Sequence, residues 1–496
     1  MRARVLPLIG FLFTLSLVAQ ENVFLQRDFW KGNPSIAEVE AAITAGNDVA
    51  ELNENMFDAV SYAFIERVDN ATIKHLLGKK GNAVDKITHD GRTYIFWAAY
   101  RDNLEMMQWL VDRGAKANIE DAHGYTVLNF AAVTGQTNPK LYDFLLKHQA
   151  NINATNHSGA NALLLVSSFA KNFDILNYFV EKGLSLDSVD EHGNGIFQYA
   201  AKGGHIPLLE ALIAKGAVYK ITNTKGENAL FMAAQGTRGQ QHGKAVFEYL
   251  EGLSLKTGLV NEEGKNLLHL ISGRNTNEDL FHYLIAKGLD VNLQDGDGTT
   301  PLMNASRGNG LEVVKLLGEY VEDINVQDKK GRSALALAVS RNRPEVVKFL
   351  LEQEADVSAI DKSGNTLAYY LMQSYNAGNP KDFETKWELL KAAGLGLNDL
   401  QHDGNSLLHL AAKANNLPLL KRLEEFGMDI NQKNDEGNTA LHLAAMSTGN
   451  TEILKYLIDQ GADVSLKTDF EETVYDLARE NELLQQQEEQ LNFLKL

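Results

Sequence analysis

The stretch GNTALHLAAM, Gly437 to Met446, is one of several near-copies of itself: GNSLLHLAAK begins at Gly404, GKNLLHLISG at Gly264, GTTPLMNASR at Gly298 and GYTVLNFAAV at Gly124. Aligned on that first glycine, the copies start at Gly91, Gly124, Gly159, Gly193, Gly226, Gly264, Gly298, Gly331, Gly364, Gly404 and Gly437. Successive spacings are 33, 35, 34, 33, 38, 34, 33, 33, 40 and 33 residues. A fixed period with occasional insertions describes stacked units that grow as one body, and it overrides the roughly three separate domains suggested by a length of 496 residues.

Each recurring slot has a physical reason. Three residues before the glycine stands Asp or Asn in nine of eleven copies: Asp121, Asn156, Asp190, Asn223, Asn261, Asp295, Asp328, Asp361 and Asn434, with Thr88 and Gln401 as the exceptions. A short polar side chain there can accept from nearby backbone amides, and the glycine supplies a positive φ, so the pair predicts a turn. Two residues after the glycine, Thr93, Thr126, Ser333 and Thr439 are placed to cap a helix. Leu441, Ala444 and Ala445 then mark one helix face, and Ile453, Leu454, Leu457 and Ile458 a second helix ended by Gly461. One such turn and helix pair cannot bury both faces, so the stack is the stable object and its ends need modified units.

With its period of 33 and the copies Thr300-Pro301-Leu302, Ser406-Leu407-Leu408-His409 and Thr439-Ala440-Leu441-His442, the chain resembles the ankyrin-repeat family. The resemblance covers nearly the whole chain after its first twenty residues. It implies an all-α solenoid of β-turn plus helix-turn-helix units, with a capping half repeat over 21–55, about twelve repeats over 56–470 and a capping repeat over 471–496. A coiled coil over the Gln/Glu-rich tail is disfavoured, because fewer than three heptads are available. The extra residues of the long copies fall between the two helices, at Gly236 to Gly243, Ser374 to Phe383, Gln136 to Pro139 and Thr448 to Asn450. All four are expected on one edge, away from the turns, where insertions can mark a binding edge.

Residues 1–20 read differently. Arg2 and Arg4 precede an apolar run from Val5 to Val18 and the small or polar Ala19 and Gln20, the layout of a Sec-type signal peptide cut after Ala19 or Gln20. The run is short of the roughly 20 residues that span a bilayer. A bacterial, periplasmic or secreted protein without an integral span after signal removal is therefore expected. The competing reading is an envelope-attached structural protein held by an uncleaved N-terminus. The chain has no cysteine, which excludes disulfides, thiolate metal sites and thiol nucleophiles. Its 47 basic against 65 acidic residues, a net charge of -18, argue against a nucleic-acid partner.

The sequence carries no Walker loop and no Gly-x-Ser-x-Gly elbow. The Asp295–Gly298 loop DGDG lacks the glutamate of a calcium loop and reads as a repeat turn. His269, His409 and His442 share one slot, where the resemblance implies a ring bonded to the backbone of an adjacent turn. No catalytic residue, cofactor or metal is assigned, and a hydrolase housed in the insertions has only His242 behind it.

The resemblance further implies a protein partner held by turns and first helices on a concave side, with a monomeric scaffold. The variable addresses in that family are the two residues before the turn glycine, the one after it and those nine and ten after it, and there two clusters stand out. The first is aromatic-rich: Tyr100, Arg101, His123, Tyr125, His157 and Phe169, of the kind that anchors interfaces. The second is basic: Arg307, Lys329, Lys330, Arg332 and Arg341, read as one positive patch suited to an acidic protein segment or an anionic polymer.

Overall fold

A computed structural model describes residues 22–495, so the expected signal peptide lies outside the described residues. The described chain is all-α: 27 α-helices with short 3-10 turns, and among the described residues no β-strand, only isolated bridges at the turns. The 24 helices from Ala59–Ile65 to Glu452–Asp459 alternate as first and second members of twelve pairs. The chain divides after Tyr219 into two compact units.

In the unit ending at Tyr219, Arg27–Lys31 and Ile36–Thr44 precede the first full pair, and the Trp30 indole donates to the Phe24 carbonyl at 2.8 Å. Beneath them Asp58 is fully buried. It accepts from Ser61 N, from Lys86 Nζ at 2.8 Å and from the Tyr94 hydroxyl at 2.6 Å, a closed network that offsets the cost of burying the charge.

Turn chemistry follows the sequence closely. In all nine copies the Asp or Asn Oδ1 accepts two backbone N–H groups, two and four residues on, at 2.8–3.1 Å. The eleven turn glycines have φ between 68° and 90°. Both exceptions share one substitute. Thr88 and Gln401 are each followed by His-Asp-Gly, where Asp90 and Asp403 take φ of 57° and 58° and the His89 and His402 Nδ1 atoms lie 2.9 Å from the Asn55 and Ser363 carbonyls of the preceding finger. Thr126 and Ser333 cap their helices as expected. Thr93 does not: its helix Tyr94–Tyr100 starts without a side-chain cap bond.

In the unit from Lys220 onward the helix faces are buried as the spacing predicts. Leu441, Ala444, Ala445 and Leu454 have no exposed surface, whereas Ile458 is only half-buried. Neighbouring fingers are tied by single backbone bonds such as Lys329 N to Asp297 O at 2.8 Å and Lys362 N to Lys330 O at 2.9 Å. A second tie was not anticipated from sequence. Asn275, Asn309 and Asn342, each eleven residues after its turn glycine, reach back one repeat. Asn309 donates to Ser272 O and Asn275 O at 2.7 and 2.8 Å, and Asn342 to Ser306 O and Asn309 O at 3.0 Å. Asn275 donates to His242 O at 2.8 Å. The chain closes on the helix Val474–Glu480 and a 3-10 stretch, Gln485–Leu494, that buries Leu491 and Leu494.

Candidate functional site

The repeat histidines are bound into the scaffold. His409 Nδ1 accepts from Ser406 N at 3.1 Å and its Nε2 lies 2.8 Å from Asn438 O of the next finger; His442 accepts from Thr439 N at 3.1 Å and reaches Leu466 O at 3.1 Å. His269 reaches Thr299 O at 3.1 Å in the same way. Only a neutral ring can accept at Nδ1 while donating at Nε2. Burial accordingly holds all three below the usual histidine range, His442 at about 4. The Asp295 loop is a turn like its neighbours, its carboxylate spent on Asp297 N and Thr299 N. Among the described residues no cluster of metal-ligating side chains exists, and no helix is long and apolar enough to cross a membrane.

The aromatic-rich cluster lies in the unit ending at Tyr219, and its members are largely engaged by the fold. Arg101 donates to the Ile65 carbonyl and stacks over the Tyr100 ring, 4.5 Å from its centroid. Tyr100 sits 6.2 Å from Phe130, on whose face Arg92 lies at 4.4 Å. The His157 ring covers Gly124 so closely that a Cβ there would fall 2.3 Å from it, and Phe169 covers Gly135 in the same manner at 2.9 Å. His123 approaches the Asp90 carboxylate at 3.4 Å, and the Tyr125 amide donates to Asp121. Hence His157 and Phe169 fill the space left by a glycine of the preceding repeat.

The basic cluster lies in the unit from Lys220 and is partly brought together. Arg307, Lys329, Lys330 and Arg332 line a groove of about 690 Å³ between the turn fingers and the first helices Leu267–Ser272, Pro301–Gly308 and Ala334–Arg341. Arg341 is exposed at the end of its helix and does not line the groove. Arg332 is committed locally, its guanidinium paired with the buried Asp328 carboxylate at 2.6 Å. Lys265 and Arg274, which the sequence reading passed over, complete the cationic lining, and Asp295 and Asp297 bring negative charge into the same space. Lys265 pairs with Glu263 at 2.7 Å. The side chains of Arg274, Arg307, Lys329 and Lys330 make no ion pair with any described residue. Gln241, from the insertion at Gly236 to Gly243, also lines the groove. That insertion therefore contributes to the same space as the fingers, where the sequence placed it on a separate edge.

A family model described as "Ankyrin repeats (3 copies)" matches residues 60–156, 240–328, 267–361, 308–381 and 362–468. The chain is 29% identical over 163 residues to the ankyrin repeat protein nuc-2 of Neurospora crassa, covering 33% of this chain and 15% of that protein. It is 29% identical over 196 residues to the palmitoyltransferase ZDHHC13 of Homo sapiens, covering 39% of this chain and 31% of that enzyme. An ankyrin repeat protein of Rickettsia felis is 27% identical over 282 residues, 51% of this chain and 70% of the relative. The chain thus spans less than a third of the first two.

Proposed function

The chain belongs to the ankyrin-repeat family, and from that premise we propose that it is a non-enzymatic protein-interaction scaffold, exported from a bacterial cell to the periplasm or beyond, that holds a protein partner on its turn fingers and first helices. The observation that carries the reading is the groove in the unit from Lys220, where four cations remain unpaired while the turn carboxylates and slot histidines around them are spent on the fold. The layout of residues 1–20 supports export, and the Rickettsia felis relative supports a bacterial setting. A palmitoyltransferase activity does not transfer, since the similarity covers 31% of that enzyme and no cysteine is available here.

The test has two arms. Expressed from Met1 in a Gram-negative host, the protein should be recovered from the periplasm or medium beginning at Gln20 or Glu21; recovery beginning at Met1 in the membrane fraction favours the envelope-attached alternative. Immobilised mature protein should retain a specific protein from envelope extract, and a variant carrying Arg274→Glu, Arg307→Glu and Lys330→Glu should not. Equal retention by both would remove the groove from the reading.

A further inference from the structure

We infer that the groove between Lys265 and Leu337 takes an extended acidic segment of a protein, one whose carboxylates are interrupted by a hydrogen-bond donor or a cation. The inference rests on the scaffold reading and specifies the chemistry of its partner.

The fold leaves positive charge unused in this groove. In a chain of net charge -18, the groove gathers Lys265, Arg274, Arg307, Lys329, Lys330 and Arg332 against Asp295, Asp297 and Asp328. Lys265 and Arg332 are neutralised by Glu263 and Asp328. Arg274, Arg307, Lys329 and Lys330 remain, all exposed and none paired with a described residue. Unpaired like charges drawn close cost energy through mutual repulsion, and an anionic occupant would relieve it.

The arrangement of those charges decides the class of occupant. Arg274 and Arg307 stand at or just beyond the ends of successive first helices, Leu267–Ser272 and Pro301–Gly308. Packed helix axes are about 8–10 Å apart, so an extended segment laid across these helices can meet Arg274, Arg307 and Lys330 in turn. Finger tips along the opposite wall change sign, from Asp297 to Lys330 at the same address one repeat later. The Asp297 carboxylate accepts no hydrogen bond from a described residue, and its backbone carbonyl is already taken by Lys329 N. A uniform polyanion such as a nucleic acid would meet Asp295 and Asp297 as repulsion, because its charges recur at every residue. A peptide meets both signs: carboxylates on Arg274, Arg307 and Lys330, and an amide or amine on Asp297. The remaining lining fits a backbone, since Gln235, Gln241, Thr299 and Asn304 offer amide and hydroxyl groups of the kind that fix an extended chain's orientation.

The test selects peptides from a random dodecapeptide phage library on the full chain. Winners are then synthesised with a fluorescent label and measured by anisotropy against wild type, Arg307→Glu/Lys330→Glu and the control Lys348→Glu, whose residue is exposed on the second helix Pro344–Glu352 and outside the groove lining. Melting curves confirm that all three fold. Expected are winners with at least two acidic residues around a donor or basic residue, weakened about tenfold or more both by Glu→Gln in the peptide and by the groove variant, with affinity falling as salt rises. Winners that ignore the groove variant overturn the inference while leaving the scaffold reading to the capture experiment. Failure to enrich any peptide overturns it as well. Binding of heparin or single-stranded DNA that the groove variant abolishes, with acidic peptides ignored, overturns it in favour of a polyanion site.

Discussion

His157 and Lys329 occupy the same address, two residues before a turn glycine, yet the repeats use them differently. In the unit ending at Tyr219 the His157 ring lies against Gly124 of the preceding finger; in the unit from Lys220 the space at the corresponding Gly298 is met by the backbone of Asp328 and Lys329, and the lysine side chain is left without a described partner. The tie behind the turns differs as well. Within the unit from Lys220, Asn309 and Asn342 each bridge two carbonyls of the repeat before and Asn275 donates to one, whereas the same address in the earlier unit holds Asp102, Gly135, Ala170 and Gly204. Where the asparagine ladder ties the repeats, Lys329 and Lys330 make no ion pair with a described residue, as the proposed partner role requires. Where it is missing, side chains at the variable addresses take part in the packing.

Glycine replacements should break this contrast most visibly. Gly124→Ala meets both a φ of 73° and the His157 ring, and should cost about 3 kcal/mol in chemical denaturation, with part of the loss recovered in the Gly124→Ala/His157→Ala double variant. Gly364, at φ 90° with open space at its Cβ position, should cost only about 1–2 kcal/mol when changed to Ala. Equal losses at the two sites would mean that His157 yields freely and is available to a partner.

Next in size is the ladder. Asn309→Ala leaves the Ser272 and Asn275 carbonyls without their amide donor in a buried site, an expected loss of about 2–3 kcal/mol by urea denaturation. A loss below about 0.5 kcal/mol would remove the asparagine ladder as the source of cohesion.

The histidine slot gives a pH signature. His442 is held at about 4 when folded, below the 6.5 or so of an unfolded histidine. The unfolded chain therefore takes up the proton first, so this residue contributes no penalty above pH 6.5 and destabilises the fold progressively between pH 6.5 and 4. Stability should fall by about 3 kcal/mol more over that window in wild type than in His442→Gln, and parallel curves would show that the folded ring takes up its proton as readily as the unfolded one. The smallest effect concerns the terminal turn, where Glu471 takes the glycine slot with φ 64°. Glu471→Gly should stabilise by up to about 1 kcal/mol in thermal melts.

Much of this was legible because the repeat says it many times. The turn Asp/Asn rule, the positive-φ glycines and the shared histidine slot each recur, and recurrence separates a structural demand from local accident. The parts that were missed are those that occur once or act across repeats. Asn53 and Met56 form a turn of the same kind, with Asn53 Oδ1 accepting from Asn55 N and Phe57 N and Met56 at φ 59°, but no glycine marks it. The asparagine address was visible at a constant eleven residues from Gly264, Gly298 and Gly331, and only its reach to carbonyls of the preceding repeat explains it. For the candidate site, the address rule located Arg307, Lys329 and Lys330 but could not show that Asp328 claims Arg332, that Arg341 stands apart, or that Gln241 comes down to the groove. Each of those depends on side-chain direction and partner, which one repeat's sequence does not encode.

Lys330 and Arg332, two residues apart on one finger, test the account most directly. Stability by urea denaturation and retention of the captured partner would be measured together for Lys330→Ala and Arg332→Ala. Lys330→Ala should leave stability within about 0.5 kcal/mol of wild type while weakening retention, and Arg332→Ala should cost about 1–2 kcal/mol of stability by stripping Asp328 of its partner. A Lys330→Ala protein that keeps its partner at full strength, or that loses as much stability as Arg332→Ala, would contradict the claim that this finger holds itself with one cation and its partner with the other.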